Sequence, residues 1–169
     1  MKRIFLYLII TSFCFTCNKE NKVPLIKNSE IIKPIQMPKD FSFEVIYFTD
    51  SYNSKTKEFK RNYQNGNKTI KVELTKYELE EIYKLFKINH FENLPQNIEN
   101  ENVMTQPTFS TTLKLHENNK TISKTFTIGV GEIAVSQGKL FENISKRINS
   151  ILENKQSIKD LKQTDIYAE

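Results

Sequence analysis

Three short patterns in this chain of 169 residues combine residue types that could carry chemistry. The first, Gly129-Val130-Gly131-Glu132-Ile133-Ala134, fits the loose G-x-G-x-x-A pattern by which a glycine-rich turn approaches a dinucleotide pyrophosphate. That chemistry also requires a βαβ unit and an acidic residue about 20 positions further on, at the end of a strand. Glu153 stands near that offset but within a predicted helix. We therefore interpret the glycines as a turn between a strand and a helix, and we predict no cofactor.

The second pattern, Ser136-Gln137-Gly138-Lys139, matches S-x-x-K, in which a lysine stands beside a nucleophilic serine. Enzymes that use this pair also carry S-D-N and K-T-G elements, and neither occurs in this sequence. Ser136 precedes a predicted helix, where a serine hydroxyl is a good acceptor for free backbone N–H groups. We interpret Ser136 as a helix cap.

The third candidate is the pair of histidines, His90 and His116, the only two in the sequence. A metal site would require both to converge with a carboxylate, and catalysis would require contact between a base and a nucleophile. No local spacing such as H-x-x-x-H supports either role, and His90 at a helix end favours the helix dipole. We predict no metal site and no enzyme. A small hydrolase that uses carboxylates or the histidines is the alternative.

The composition indicates one globular domain. The sequence is 38% hydrophobic and 27% charged, with 25 basic and 20 acidic side chains. Its length fits a single domain, and its balance of apolar and charged residues is that of a folded chain. Two cysteines are too few for a disulfide framework or a four-cysteine zinc site.

The first residues of the chain have the order of an export signal. Lys2 and Arg3 are followed by an apolar stretch from Ile4 to Phe15 and then by the polar Asn18-Lys19-Glu20. A positive start before a short apolar segment is typical of export signals, and the segment is too short to span a bilayer.

The end of that segment, Thr16-Cys17, resembles the lipobox of bacterial lipoproteins, in which a small residue precedes the modified cysteine. The match departs from the family at Cys14, where leucine is usual. The resemblance implies cleavage of residues 1–16 and acylation of Cys17, which would anchor the chain to a membrane of the cell envelope. We expect the outer membrane. A plain secretory signal is the alternative.

A tether would follow the lipid. Residues 17–39 are lysine-rich and contain Pro24, Pro34 and Pro38, a composition typical of a flexible linker. Loss of residues 1–16 removes Lys2 and Arg3, so 23 basic side chains would remain against 20 acidic ones. With nearly equal numbers of basic and acidic side chains, the chain lacks the basic excess typical of nucleic-acid-binding proteins.

The first half of the domain alternates with the period of β-strands and then changes to that of a helix. We predict strands at 41–49, 57–64 and 68–74, with Asn65-Gly66 as a type I′ hairpin turn. Thr75 and Glu78 have the spacing of a capping box. The apolar side chains of the following helix recur with helical spacing at Leu79, Ile82, Tyr83 and Phe86, and the helix is predicted to end near Lys87 or Asn89.

The second half repeats the order with one hairpin and one helix. A polar loop is predicted at 96–107, a hairpin at 109–128 that turns at Asn118-Asn119, and a helix at 137–153. Residues 154–169 are polar and read as a tail, in which Ile158 and Leu161 could add a turn.

The order βββ-α-ββ-α predicts an α+β fold: an antiparallel sheet of about five strands, with two helices packed on one face. A single domain would span 40–153. The capped Leu74-to-Phe86 segment that leads into His90-Phe91-Glu92-Asn93-Leu94-Pro95 resembles small bacterial lipoprotein domains that have no assigned activity. This resemblance implies no catalytic residue.

Tyrosines supply the remaining binding candidates. Tyr47 is in phase with the core residues and is predicted to be buried, whereas Tyr52 and Tyr63 are candidates for exposed contacts to a protein or glycan. The sequence thus favours a non-enzymatic binding or accessory module for an envelope protein, a glycan or a wall component, with a structural subunit of an outer-membrane assembly as a further option.

Overall fold

The computed structural model describes residues 35–99, 109–128 and 136–166. Several predicted features lie outside these ranges: the signal at 1–16, the acylation site at Cys17, the tether up to residue 34, residues 100–107 of the loop and the glycine turn at 129–131. Pro34–Glu169 group as one compact unit. Within the described ranges, no helix is both long enough and apolar enough to cross a membrane.

Seven strands are described: β1 (Ser42–Ile46), β2 (Asp50–Asn53), β3 (Glu58–Tyr63), β4 (Gly66–Lys71), β5 (Asn97–Glu99), β6 (Phe109–Glu117) and β7 (Lys120–Ile128). They form one sheet in the order β4-β3-β2-β1-β6-β7-β5. Every neighbouring pair is antiparallel except β5 and β7, which are parallel.

The α+β class is confirmed, but the five-stranded antiparallel sheet is corrected to a mixed sheet of seven strands. β2 occupies part of the predicted polar turn, and β5 occupies part of the predicted loop. Both are short and bury one apolar side chain each, Tyr52 in β2 and Ile98 in β5. Backbone pairing with the neighbouring strands makes these segments strands, and a single buried residue gives no period to detect in the sequence.

The turn with positive φ at both central residues lies in the second hairpin and not in the first. Asn65 does not have a positive φ, and Tyr63 pairs with Gly66, so Gln64 and Asn65 form the loop and Gly66 alone has a positive φ, at 124°. The predicted type I′ turn at Asn65-Gly66 is therefore wrong. Between β6 and β7, Asn118 and Asn119 have φ values of 50° and 59°. These are the positive angles that a type I′ turn requires at both central residues.

Three helices are described: α1 (Lys76–Ile88), α2 (Ser136–Glu153) and α3 (Gln156–Lys159), with a 3-10 turn at Phe91–Asn93. The predicted capping box is present: Thr75 Oγ1 accepts from Glu78 N at 3.2 Å, and Thr75 N donates to Glu78 Oε2 at 2.7 Å. α3 makes the helix count three instead of the predicted two.

The core lies between the sheet and the helices. Phe43 and Val45 of β1 and Leu113 and Leu115 of β6 are fully buried, as the alternation predicts. Phe43 meets Phe86 of α1 at a ring-centroid distance of 6.3 Å, and Phe126 of β7 meets Phe141 of α2 at 5.6 Å. Both long helices therefore cover the same face of the sheet, as predicted.

The C-terminal segment is part of the domain and not a separate tail from residue 154. Ile158 and Leu161 are buried, which confirms that they add structure beyond α2. Beyond them, Thr164 Oγ1 donates to Asn62 O at 2.9 Å, and Gln64 N donates to Asp165 Oδ1 at 2.8 Å. Residues 162–165 therefore contact β3 and its hairpin turn.

Candidate functional site

The sheet face opposite the helices carries mainly polar side chains. Successive side chains of a strand point to opposite faces of the sheet. Because the core contains Phe43, Val45, Leu113 and Leu115, their neighbours along each strand lie on the other face. The strand register then aligns those neighbours in rows. One row holds Asn53, Glu44, Lys114 and Ser123, and the next holds Ser42, His116 and Thr121.

Glu44 is the centre of the first row. Its Oε1 accepts from Asn53 Nδ2 at 3.0 Å, and its Oε2 accepts from Lys114 Nζ at 3.0 Å. The three residues are direct cross-strand neighbours on β2, β1 and β6. A carboxylate that accepts from a cation and an amide is held in one rotamer, so the position of Glu44 on the open face is fixed before any ligand binds.

His116 joins the two rows. Its Nδ1 lies 2.8 Å from Thr121 Oγ1 on β7, and its Nε2 lies 3.6 Å from Glu44 Oε1. The imidazole therefore stands between a hydroxyl and a carboxylate. The distance to Thr121 is that of a hydrogen bond, whereas the distance to Glu44 exceeds one.

These side chains border a cleft of about 360 Å³ at the end of the sheet where residues 35–41 enter β1. Asp40 closes this end, because its Oδ2 accepts from Asn119 N in the β6–β7 turn at 3.0 Å. The lining residues are all polar or charged: Asp40, Ser42, Glu44, Asn53, Lys55, His116, Glu117, Asn119, Lys120 and Thr121.

Hydrogen bonding is the chemistry that this cleft offers. It combines carboxylate and amide acceptors with amide, ammonium and hydroxyl donors on a rigid sheet, without an apolar floor. In the described part of the chain, no group of three or more His, Cys, Asp or Glu side chains is placed to hold a metal ion. The arrangement suits a ligand that presents many hydroxyl or amide groups.

Glu117 lines the cleft and also reaches the helical side. Lys87 Nζ of α1 donates to Glu117 Oε1 at 2.5 Å. Burial raises the pKa of Tyr83 to about 12, and the nearby Glu117 carboxylate adds to that rise. These contacts hold the end of β6 against α1.

The two tyrosine candidates lie elsewhere. Tyr52 is only 2% exposed, and its hydroxyl donates to Val72 O at 3.0 Å, so the prediction that it is an exposed contact is wrong. It points into the core because it pairs with Val45 across β1 and β2. Tyr63 is partly exposed and donates to Lys162 O at 3.0 Å. Its role in partner binding stays a prediction.

The other residues from the sequence patterns do not join the cleft. His90 is exposed and follows α1 in the left-handed region, with φ 48°. Ser136 and Lys139 lie within α2 and are exposed. Tyr47, predicted to be buried, packs partly against the core and donates from its hydroxyl to Ser145 O at 2.7 Å.

Alternation with Leu113 and Leu115 is enough to put His116 on the outer side of its strand. The sequence does not indicate which residues gather around it. Alternation already marks Ser42 and Glu44 as outward-facing. What the sequence lacks is the pairing of β1 with β6, which brings together Glu44 and Lys114, 70 residues apart along the chain.

Comparison of the chain with protein-family models and with curated protein sequences finds no match.

Proposed function

We propose that this chain is a lipid-anchored protein of the bacterial cell envelope, attached through Cys17 to the outer membrane, whose domain binds a hydroxyl-rich glycan or wall component without catalysing a reaction. The anchor is supported by the Lys2-Arg3 start, the apolar stretch and the Thr16-Cys17 junction. The binding role is supported by one observation above all: the fixed Glu44–Asn53–Lys114 and His116–Thr121 contacts on an open, polar sheet face.

The choice of ligand follows from the cleft chemistry. Sugar hydroxyls both donate and accept, so they pair with carboxylates, amides and ammonium groups placed side by side. Glu44, Asn53 and His116 supply such groups from three strands, in positions set by cross-strand pairing. A rigid set of this kind loses little conformational entropy when it binds.

The anchor is tested by the intact mass of the protein recovered from membranes. We expect a chain that begins at acylated Cys17, and a Cys17→Ser variant that lacks the lipid mass. An unmodified chain, soluble in both forms, would overturn the lipoprotein proposal.

The binding role is tested with oligosaccharides released from purified cell wall. We expect Glu44→Gln and Asn53→Ala each to weaken retention about tenfold, because each removes a hydrogen bond to the ligand and disturbs the other's position. Thr127→Ala is the matched control, since Thr127 lies on the same face of β7, six residues from Thr121 and about 20 Å away. Equal retention by all three variants would refute a glycan site in this cleft.

A hydrolase is the second candidate, because Thr121, His116 and Glu44 have the composition of a nucleophile, a base and an acidic partner. His116 Nδ1 is within reach of the Thr121 hydroxyl proton. It ranks second because Glu44 already accepts from Asn53 and Lys114 and lies 3.6 Å from the imidazole.

The histidines separate the two candidates. Any hydrolytic activity of the cleft should be lost in His116→Ala and kept in His90→Ala, because His90 is not among the residues that line the cleft. Activity that survives His116→Ala would exclude the histidine mechanism.

A further inference from the structure

A second groove, of about 690 Å³, lies between the segment that enters the domain and α1. Half of its lining is apolar: Ile35, Met37, Pro38, Phe41 and Leu79. Ile35 is 37% exposed, one of five large hydrophobic side chains that are exposed in the described part of the chain. The groove thus leaves apolar surface accessible where residue 35 meets the domain.

Lysines dominate the charged part of the groove. Lys39, Lys76 and Lys84 border it together with one acidic residue, Glu80. Lys76 Nζ lies 3.8 Å from Glu80 Oε1. Within the described ranges, neither Lys39 nor Lys84 forms an ion pair. The groove therefore has a net positive rim.

The outer side of α1 continues this surface. Tyr77 and Ile88 are 75% and 62% exposed, the two most exposed large hydrophobic side chains described. Lys84 stands seven residues after Tyr77 and four before Ile88, so the three lie on one side of the helix. A helix that shows an aromatic ring, a lysine and an isoleucine along one side matches the composition of a helix at a membrane interface.

The groove begins close in sequence to Cys17, the proposed site of lipid attachment. Residue 35 lies 18 residues after Cys17, and a flexible chain of that length has a span of about 25 Å. If Cys17 carries acyl chains, the groove and α1 are held within reach of the lipid headgroups.

We propose that the groove and the outer side of α1 form a surface that contacts anionic phospholipids. This surface consists of Ile35, Lys39, Lys76, Tyr77, Lys84 and Ile88. The ammonium groups bind headgroup phosphates, and the apolar side chains enter the boundary between headgroups and acyl chains. The inference rests on the proposed lipid anchor, which brings the surface to the membrane.

The test uses the mature chain from residue 17 with Cys17→Ser, which has no acyl chain and keeps the whole core from Phe43 to Leu161. We expect it to sediment with mixed phosphatidylcholine–phosphatidylglycerol vesicles and much less with phosphatidylcholine alone. Changing Lys39, Lys76 and Lys84 to Glu should lower the partition coefficient by at least about fivefold for each lysine.

Lys60, Lys68 and Lys71 provide the matched control, because they lie on β3 and β4, away from the groove. Their triple change to Glu alters the net charge equally and should lower vesicle binding far less. Equal loss in both triple variants, or no preference for phosphatidylglycerol, would overturn the proposed surface.

The lipid anchor and the phospholipid-binding surface can be refuted independently of each other. If the intact mass shows no acylation of Cys17 but the soluble chain binds phosphatidylglycerol through the three groove lysines, the anchor is wrong and the surface is supported. If Cys17 is acylated but the soluble chain ignores phosphatidylglycerol, the anchor is right and the surface is refuted.

Discussion

Arg61 and Asp50 form a buried ion pair on the helix-covered face of the sheet. They are direct cross-strand partners on β3 and β2, with Arg61 Nε 3.0 Å from Asp50 Oδ1 and Nη2 2.7 Å from Oδ2. Their side chains are only 9% and 15% exposed. Arg61 Nη1 also donates to Lys162 O at 3.3 Å. The pair therefore joins two strands and the C-terminal segment.

Removing one partner of this pair should destabilise the fold strongly. Asp50→Ala leaves the buried guanidinium with only the exposed Glu153 carboxylate, whose Oε1 lies 3.9 Å from Arg61 Nη2. We therefore expect a loss of about 3 kcal/mol in the free energy of unfolding, measured by urea denaturation. Glu58→Gln is the control, because Glu58 forms an exposed cross-strand pair with Lys71 and should change stability little. Similar effects for both variants would contradict a buried role for Asp50.

Tyr52 should act through the core and not through a partner. Tyr52→Phe removes the hydrogen bond to Val72 O while keeping the ring, so we expect a loss of about 1 kcal/mol in the free energy of unfolding. Tyr52→Ala should cost about 3–5 kcal/mol, because it also opens a cavity. Retention on the cell-wall oligosaccharides should be the same for Tyr52→Phe and the unmodified chain. Weaker retention would restore Tyr52 as a binding residue.

Glu78 should make stability depend on pH. Burial raises the pKa of Glu78, but hydrogen bonds from Lys155 and Thr75 together outweigh it, so the pKa lies below the usual value of a glutamate. The folded state therefore favours the charged form, so this stabilisation is present above the pKa of Glu78 in the unfolded chain and is lost as the pH falls through its lower folded-state pKa.

Glu78→Gln tests this dependence. At neutral pH we expect it to lower the free energy of unfolding by about 1–2 kcal/mol, and this difference from the unmodified chain should shrink in acid. Thr75→Ala removes only the cap and should lose about 1 kcal/mol. A Glu78→Gln difference that is constant with pH would refute the ionic contribution.

A substitution in the β6–β7 turn by a residue that disfavours positive φ should destabilise the fold. Asn118→Val should destabilise the fold by about 1–2 kcal/mol, because Asn118 has a φ of 50° that a β-branched residue rarely adopts. Asn118→Gly should be tolerated. Asn65→Ala is the control, since Asn65 does not have a positive φ. Thermal unfolding of the three variants would check the order, and an Asn65→Ala loss as large as that of Asn118→Val would contradict it.

The C-terminal segment should contribute to stability through Thr164. Its hydroxyl donates to Asn62 O at 2.9 Å, so Thr164→Ala should lower the free energy of unfolding by about 1 kcal/mol, whereas Thr164→Ser keeps the hydroxyl and should lose less. Chemical denaturation of the two variants measures the difference. Identical midpoints would indicate that the segment adds nothing to the stability of the sheet.

Features that arise from neighbours a few residues apart could be predicted from the sequence alone. The Thr75–Glu78 capping box and the helix it begins follow from spacings of three and four, and the inward side chains of β1 and β6 follow from a period of two. These predictions succeeded because each depends on local geometry that the residue types set directly.

The sequence did not reveal which strands lie side by side, and therefore which polar groups meet; the three-dimensional structure shows both. The pairing of β1 with β6 places Glu44 beside Lys114 and His116, and the pairing of β2 with β3 places Asp50 beside Arg61. β2 and β5 are strands because neighbours pair with their backbones, although their own sequences carry little apolar pattern. Pairing between distant segments depends on contacts summed over the whole sheet and core, so no short stretch of sequence specifies it.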